Sequence, residues 1–523
     1  MLDTSNERPV VPAGAIKDTE VAKLTSGSLL ARNTVWNLVG QITPMAVGLF
    51  AIPRLISSLG TDRFGVLLIA WMVVGYFSFF DLGLGRAMTN LVAQTLATNS
   101  DRELPAIVWT ANMLMGAMGI IGAIVLAMLS PILVHDLLKT PLALQSETTR
   151  AFYILSASVP FVISTTGFRG VLEARQRFGM INLVRIPMGI ATFAAPLLVL
   201  PWSKTLPAVV GILVVARALF WLIYAVLALH DMPLLLHKFE IDRRLLPMLF
   251  SFGAWMTVSN IVSPLMAYLD RFLIGMLLSL TAVAYYATPF EIVTKFLILP
   301  AAIVGVLFPA FSTALVADPE HAAKLFRRTV KYVAIAQFPL TLLIVLFAQS
   351  GLNLWLGPAF ASHSTRVLQW LAIGVFANGL ATLPFALVQG AGRADITGKL
   401  HLLELPFYLV TVWALTKHFG IQGTAIAWMI RVVIDCALLF WAVERLLGNM
   451  FPVRTMLGGA AAIGVVFAVS MANVSLPLKL IISAIQLILY IIITWFALLG
   501  KEERAFLLRR LMGSASPVQD AAK

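Results

Sequence analysis

The chain is short of everything a soluble protein uses to meet water. Only 12% of its 523 residues are Asp, Glu, Lys or Arg, about half the roughly 25% of ordinary globular domains. The longest polar stretches are Met1–Arg32 and Lys501–Lys523, and neither is long enough to hold a catalytic domain in the water phase. The longest external loop, expected near His135–Thr149, is equally short. There is one cysteine, Cys436, inside an apolar run, so no disulfide can form within the chain and the redox compartment is not encoded. No Gly-x-x-x-x-Gly-Lys-Ser/Thr loop occurs, which excludes ATP hydrolysis by a phosphate-binding loop of that type. Met1–Arg32 carries Pro9, Pro12 and scattered charges but no apolar core. It therefore does not read as a cleavable signal peptide, and the first hydrophobic run doubles as an uncleaved insertion signal.

What is present is hydrocarbon. Apolar residues make up 59% of the chain and the mean hydropathy is +0.90. Apolar runs of roughly 20 residues cross a bilayer as helices, because only a helix satisfies its own backbone polar groups there. Spans are expected near 34–56, 64–94, 105–134, 150–172, 181–201, 207–229, 247–270, 273–310, 330–350, 366–388, 401–417, 421–443, 455–474 and 478–499. The fold class is thus an all-α polytopic membrane protein of about fourteen transmembrane helices. Gly60-Thr61-Asp62-Arg63 and Lys417-His418-Phe419-Gly420 read as tight turns between spans.

A net charge of +13 would suggest a nucleic-acid partner in a soluble protein. In a polytopic one, Lys and Arg gather in cytoplasmic loops and fix orientation. With the N-terminus inside, 24 of the 38 cations fall on the inner side and 9 on the outer. The expectation is that both termini are cytoplasmic, with an even number of spans and no nucleic-acid partner. The tail Glu502–Arg510 is amphipathic and basic and is expected to lie on the inner membrane surface. The Trp residues fall mostly near span ends, as in an interfacial belt. All seven His fall at loops or helix ends, so no metal cluster is expected.

The chain repeats on itself at an offset near 217–220. Pro53-Arg54 answers Asp270-Arg271. Glu173-Ala174-Arg175 answers Gly390-Ala391-Gly392-Arg393, and Ala218-Leu219-Phe220-Trp221 answers Leu438-Leu439-Phe440-Trp441. Six spans separate the copies, which gives a parallel repeat about an axis along the membrane normal. The expected organisation is a cytoplasmic tail (1–32), a first six-helix lobe (33–245), a second six-helix lobe (246–445), an extra C-terminal helix pair (446–500) and a cytoplasmic amphipathic tail (501–523). Such lobes enclose a central cavity that opens to either side in turn.

Ionisable residues at bilayer depth cost at least roughly 2.5 kcal/mol and so face a bundle interior or water. The candidate substrate-binding cations are Arg54, Arg86, Arg217, Arg271 and Lys295; the candidate coupling or gating carboxylates, for H⁺ or Na⁺, are Asp81, Asp270 and Glu291. Arg431 and Asp435, four residues apart, read as a structural ion pair. Arg54, Asp270 and Arg271 fall near an expected membrane interface, where snorkelling would also accommodate them. Cations in excess of anions inside a cavity suit an anionic substrate, and a pyrophosphate matches the fork of donors that arginine offers.

The residues Asn33-x-x-Trp36-Asn37-x-x-Gly40, Ile52-Pro53-Arg54, Leu59-Gly60, Phe64-Gly65 and Asp81-Leu82-Gly83-Leu84-Gly85-Arg86-Ala87 resemble the N-terminal signature of bacterial polysaccharide flippases. These are Wzx-type transporters of the MATE-like, oligosaccharidyl-lipid and polysaccharide exporter (MOP) superfamily. Tyr268-Leu269-Asp270-Arg271-Phe272-Leu273-Ile274-Gly275, Gln389-Gly390-x-Gly392-Arg393 and Gly420-Ile421-x-Gly423-Thr424-Ala425-Ile426-Ala427 are similar to that family too. The resemblance implies a secondary transporter rather than an enzyme, with no cofactor. It implies alternating access in the bacterial inner membrane and a substrate of a few sugars on undecaprenyl pyrophosphate, moved from the cytoplasmic to the outer leaflet. A monomer is expected, with polysaccharide polymerase and chain-length proteins as partners. A drug antiporter of the same superfamily would instead want an acidic cavity. A peptidoglycan-precursor flippase shares fold and carrier lipid. A membrane polymerase would need a large external loop.

Overall fold

The computed structural model describes residues 27–505 apart from 79–83, 98–100, 248–265, 305–318, 449–452 and the single residues 176, 267, 302, 392, 473 and 502, with side chains from Thr43 onward. Among these residues there are helices and connecting turns but no strand. In chain order the helices are α1 (Gly27–Leu59), α2 (Thr61–Phe77), α3 (Leu84–Ala97), α4 (Leu104–Ile132), α5 (Leu142–Ser156), α6 (Val159–Ala174), α7 (Phe178–Val199), α8 (Leu206–Asp231) and the short α9 (Leu234–His237). There follow α10 (268–277), α11 (Leu280–Val293), α12 (Pro319–Leu356), α13 (Pro358–Gly390), α14 (Ala394–Leu447), α15 (Val453–Ser470) and α16 (Leu476–Ile493).

Nine stretches among the described residues are long and apolar enough to cross a membrane, and the chain is a multi-pass membrane protein. The longest, Asp395–Leu447, is two helices laid end to end. Gly420 divides them with φ 60° and ψ −145°, a conformation open to a residue without a Cβ. This is the turn expected at Lys417–Gly420. Side chains that water would reject point outward: Ile120, Ile121, Ile124 and Met128 on α4, and Ile481, Ile485, Ile488 and Ile492 on α16, are all exposed. Their solvent is lipid.

Among the boundaries that differ from the sequence reading, two concern turns. The loop expected over His135–Thr149 is far shorter, because α4 runs on through a π turn to Leu137 and α5 begins at Leu142. The second difference matters more. Residues 247–270 and 273–310 were expected as separate spans, which put Asp270 and Arg271 in a turn at the interface. Residues 248–265 lie outside the described ones, but α10 runs unbroken through both residues. The turn comes at Leu278–Ser279, where the Ser279 hydroxyl caps α11 by accepting from the Ala282 N–H at 3.0 Å. Asp270 and Arg271 are therefore buried in a helix, at 0% and 1% exposure. The apolar periodicity hid this turn, since neither Gly nor Pro marks it.

The packing sorts into two groups. In the first, α7 packs on α1 and α8, and α6 on α3, α4 and α8. In the second, α13 packs on α11, α12 and α14; α2 and α11 are the main contact between the groups. Two turns share their backbone geometry. The turn between α6 and α7 has Arg175 at φ −87°, ψ 6° and Arg177 at φ −79°, ψ 47°. The turn between α13 and α14 has Ala391 at φ −75°, ψ 2° and Arg393 at φ −102°, ψ 44°. The hydrogen bonds match as well: Arg175 N to Val171 O and Arg177 N to Leu172 O in one, Ala391 N to Leu387 O and Arg393 N to Val388 O in the other.

The groups are joined at the end that carries the turns at Gly60, Leu138–Pro141 and Leu278–Ser279. Thr281 donates to the Asp62 carboxylate. Lys139 donates through Nζ to the Leu277 carbonyl at 2.6 Å and through its backbone N–H to the Gly275 carbonyl at 2.9 Å. The Trp355 indole reaches the Leu49 carbonyl at 2.6 Å.

Candidate functional site

α11 begins regularly and then loosens. Pro289 has no N–H to give the Tyr285 carbonyl, and the Ser364 hydroxyl from α13 takes that acceptor at 2.7 Å. One turn later the helix tightens into a 3₁₀ turn, Thr294–Leu297, which carries Lys295. Beside this turn lies a cavity of about 420 Å³. Its polar wall is Glu291, Lys295, Asn378, His401, Arg431 and Asp435, and its aromatic wall is Tyr268, Phe290, Phe385 and Trp428. Lining residues on α13 lie toward its C-terminal end, and those on α14 are His401, near Arg393, and Trp428, Arg431, Asp435 and Leu439 in its second half. The cavity therefore sits in the half of the molecule away from the joined end.

Two charged clusters adjoin it. In the first, the buried Arg271 guanidinium binds Glu291 at 2.8 Å and Asp270 at 3.5 Å, and the Tyr286 hydroxyl donates to Asp270 at 2.5 Å. Arg271 also lies over the rings of Phe290 at 4.5 Å and Tyr268 at 5.4 Å. A buried cation survives only when paired in this way. Glu291 also faces the cavity, where Lys295 Nζ stands 3.9 Å from its second oxygen. One carboxylate thus bridges a dry arginine and a wet lysine.

The second cluster is looser. Arg431 faces Glu404 at 3.7 Å, His401 faces Asp435 at 4.0 Å, and the Arg431 guanidinium is 5.7 Å from the Tyr408 ring. The pairing expected between Arg431 and Asp435 is corrected: Glu404, reaching over from the first half of α14, is the carboxylate that Arg431 meets. His401 Nδ1, both Glu404 oxygens, Arg431 Nε, Asp435 Oδ1 and the Tyr408 hydroxyl are buried without a hydrogen-bond partner. Orphaned polar atoms in one wall mark where water or a ligand completes the bonding.

Of the other sequence candidates, Arg54 is exposed near the end of α1, away from this cavity. Arg217 is half-buried on α8, with Nη2 3.4 Å from the Thr192 hydroxyl on α7, and so lies within the first group of helices. Arg86 belongs to α3, but its side chain, like Asp81, is outside the described residues. The cavity is charge-balanced rather than cationic: Lys295 and Arg431 stand against Glu291 and Asp435. Among the described residues its lining runs from Tyr268 to Leu439, all in the second part of the chain. Sequence reasoning missed His401 and Trp428 as cavity residues. His401 was taken as a helix-end residue because the span was started at 401, whereas α14 begins two turns earlier. The spacing His401/Glu404, three apart on a helix, was the available signal.

The family model described as polysaccharide biosynthesis protein matches residues 53–365, more than half of the chain. The chain belongs to that family. It is 31% identical to a Shigella flexneri protein named "Putative O-antigen transporter", over 80% of this chain and 98% of the other. It is 21% identical to the lipopolysaccharide biosynthesis protein WzxC of Escherichia coli, over 80% and 81%. Among solved structures, the lipid II flippase MurJ in an inward closed conformation superposes with a TM-score of 0.65 at 12% identity, covering 92% of this chain and 99% of that one. An inward-facing multidrug-resistance MATE transporter gives 0.64 at 13%, covering 78% and 98%. The fold is shared with these two transporters.

Proposed function

We propose that this protein is a flippase that carries an oligosaccharide linked to undecaprenyl pyrophosphate from the cytoplasmic to the outer leaflet of a bacterial inner membrane. The observation that carries the reading is the near-complete overlap with the O-antigen transporter relative, which extends over 98% of that protein. The cavity supports it. Lys295 and Arg431 offer cations to a diphosphate, Asn378 can donate to or accept from sugar hydroxyls while the carboxylates accept from them, and the aromatic wall offers flat apolar faces to sugar rings. About 420 Å³ is within the range of ligand sites. It suits a head group of a few rings whose lipid tail stays in the bilayer.

The excess of cations in the N-terminal-side loops favours cytoplasmic N- and C-termini. The joined end is then the outer face, and the cavity lies in the cytoplasmic half, ready to load. Alternating access would proceed by rocking the lobes 33–245 and 246–445 about the α2–α11 contact. Glu291 and Asp435 are the carboxylates best sited to carry a coupling proton or Na⁺. No chemical step is needed, so the protein acts as a transporter and not as an enzyme. It works as a monomer that hands its cargo to a polymerase.

The test is deletion of the gene. Lipid-linked oligosaccharide should accumulate on the cytoplasmic leaflet and clear on complementation. Undiminished surface glycan in the deletion strain would overturn the reading.

A further inference from the structure

A second pocket, of about 150 Å³, lies at the joined end between α12, α13 and the C-terminal pair α15–α16. Its polar lining is Gln349, Ser362, Thr365, Arg366, Gln369 and Lys479. Among the described residues, no carboxylate lines the pocket to face the two cations. No Asp or Glu occurs between Glu320 and Asp395, nor between Glu444 and Glu502, and every residue lining the pocket comes from those two segments. Lys479 is nonetheless buried, at 8% exposure, and among the described residues its ammonium makes one long hydrogen bond, to Gln349 Oε1 at 3.5 Å. A charge withdrawn from water needs an opposite charge or strong acceptors.

Arg366 is partly explained by the protein itself. Its Nη1 donates to the Met471 carbonyl at 2.7 Å, just past the end of α15, and to Gln369 at 3.2 Å, as suits a cation at a helix C-terminus. Among the described residues its Nε and Nη2 have no hydrogen-bond partner. An arginine fork half engaged, a buried lysine and the Gln349 amide give the recess donors suited to an anion, while the Ser362 and Thr365 hydroxyls donate to Ala359 and Ala361 of their own helix.

We propose that this recess binds a phosphate group, held by Arg366 and Lys479. Arginine offers a planar fork to phosphate oxygens and lysine a point charge. The phosphate is either that of a phospholipid head group, reached from the lipid face of the C-terminal pair, or free inorganic phosphate. The site is separate from the substrate cavity and stands whichever face of the membrane this end occupies.

The test uses the purified full-length protein in neutral detergent, with short-chain phosphatidylglycerol in one arm and inorganic phosphate in the other. Binding is read by thermal shift and by native mass spectrometry. Wild type should bind at least one probe, and Arg366→Gln/Lys479→Gln should weaken it at least tenfold. Lys479→Glu supplies an internal carboxylate for Arg366, so it should stay folded, with a Tm at or above that of ligand-free wild type, and lose binding. Binding of the lipid alone assigns the head group, and equal binding of both probes assigns the free anion. No binding by wild type, or undiminished binding by both variants, overturns the site.

Discussion

Thr281 donates a hydrogen bond to Asp62 across 219 residues, and 219 falls within the offset at which the sequence repeats. Each is the second residue of its helix, Asp62 in α2 and Thr281 in α11. The bond therefore ties the starts of the two helices together. It also lies at the joined end, where an outward opening would have to part the lobes. Asp62→Cys/Thr281→Cys in a Cys436→Ala background should therefore cross-link under mild oxidant and stop export, and reduction should restore it. The single native cysteine makes the background clean. Full export by the oxidised, cross-linked protein would show that this contact need not open.

Gly65, one turn further along α2, sits against the other lobe. A Cβ there would lie 2.1 Å from the Leu280 carbonyl oxygen and 2.8 Å from its carbon. Both are backbone atoms at the start of α11 and cannot swing aside as a side chain would. Gly65→Ala should cost the joined state about 1–3 kcal/mol by overpacking and shift the population toward the opened form. Thr281→Cys in the Cys436→Ala background should then react several-fold faster with a membrane-impermeant maleimide when Gly65→Ala is added. Equal labelling rates would mean that the closed contact is not strained by the extra methyl.

Much of this was legible in the sequence, for physical reasons. Apolar length alone announces spans, and the 3.6-residue period needs no tertiary information. The repeated turns at Arg175 and Ala391 were visible as short polar islands at one offset. The exception was the Leu278–Ser279 turn, because a serine cap inside a greasy run leaves no composition change. That one missing turn moved Asp270 and Arg271 from an interface to a buried core. The partner of Arg431 was equally out of reach: Glu404 lies 27 residues away on the other side of the Gly420 break, and no local spacing encodes that meeting.

Arg271 and Lys295 should therefore behave differently when removed, although both share Glu291. Arg271→Met strands the Asp270 carboxylate in a dry interior, and breaking a buried pair costs about 3–5 kcal/mol. The amount of protein in the membrane fraction should fall sharply. Lys295 is 45% exposed at its side chain and 3.9 Å from Glu291. Lys295→Ala should keep normal abundance while glycan export falls at least tenfold. Quantitative immunoblots of membranes, paired with surface-glycan measurement, separate the two. Normal export by Lys295→Ala would remove it from the site.

The C-terminal segment offers a pH test outside the membrane. Glu503 accepts from Lys331 Nζ at 2.7 and 2.6 Å, from the Tyr332 hydroxyl and from the Gly500 backbone N–H at 2.8 Å. Burial pushes its carboxyl up, but these donors outweigh that and hold it at about 2, below the roughly 4.3 of a free glutamate. A depressed carboxylate contributes stability that is fully present above the unfolded value and lost as pH falls through the folded one. Hydrogen exchange of amides 500–505, corrected for intrinsic rate, should show constant protection from pH 8 to pH 5 and a decline from about pH 4 toward pH 2. Glu503→Gln should exchange several-fold faster at pH 7, where wild type is protected. Equal protection of the two proteins at pH 7 would mean that this carboxylate does not anchor the segment to α12.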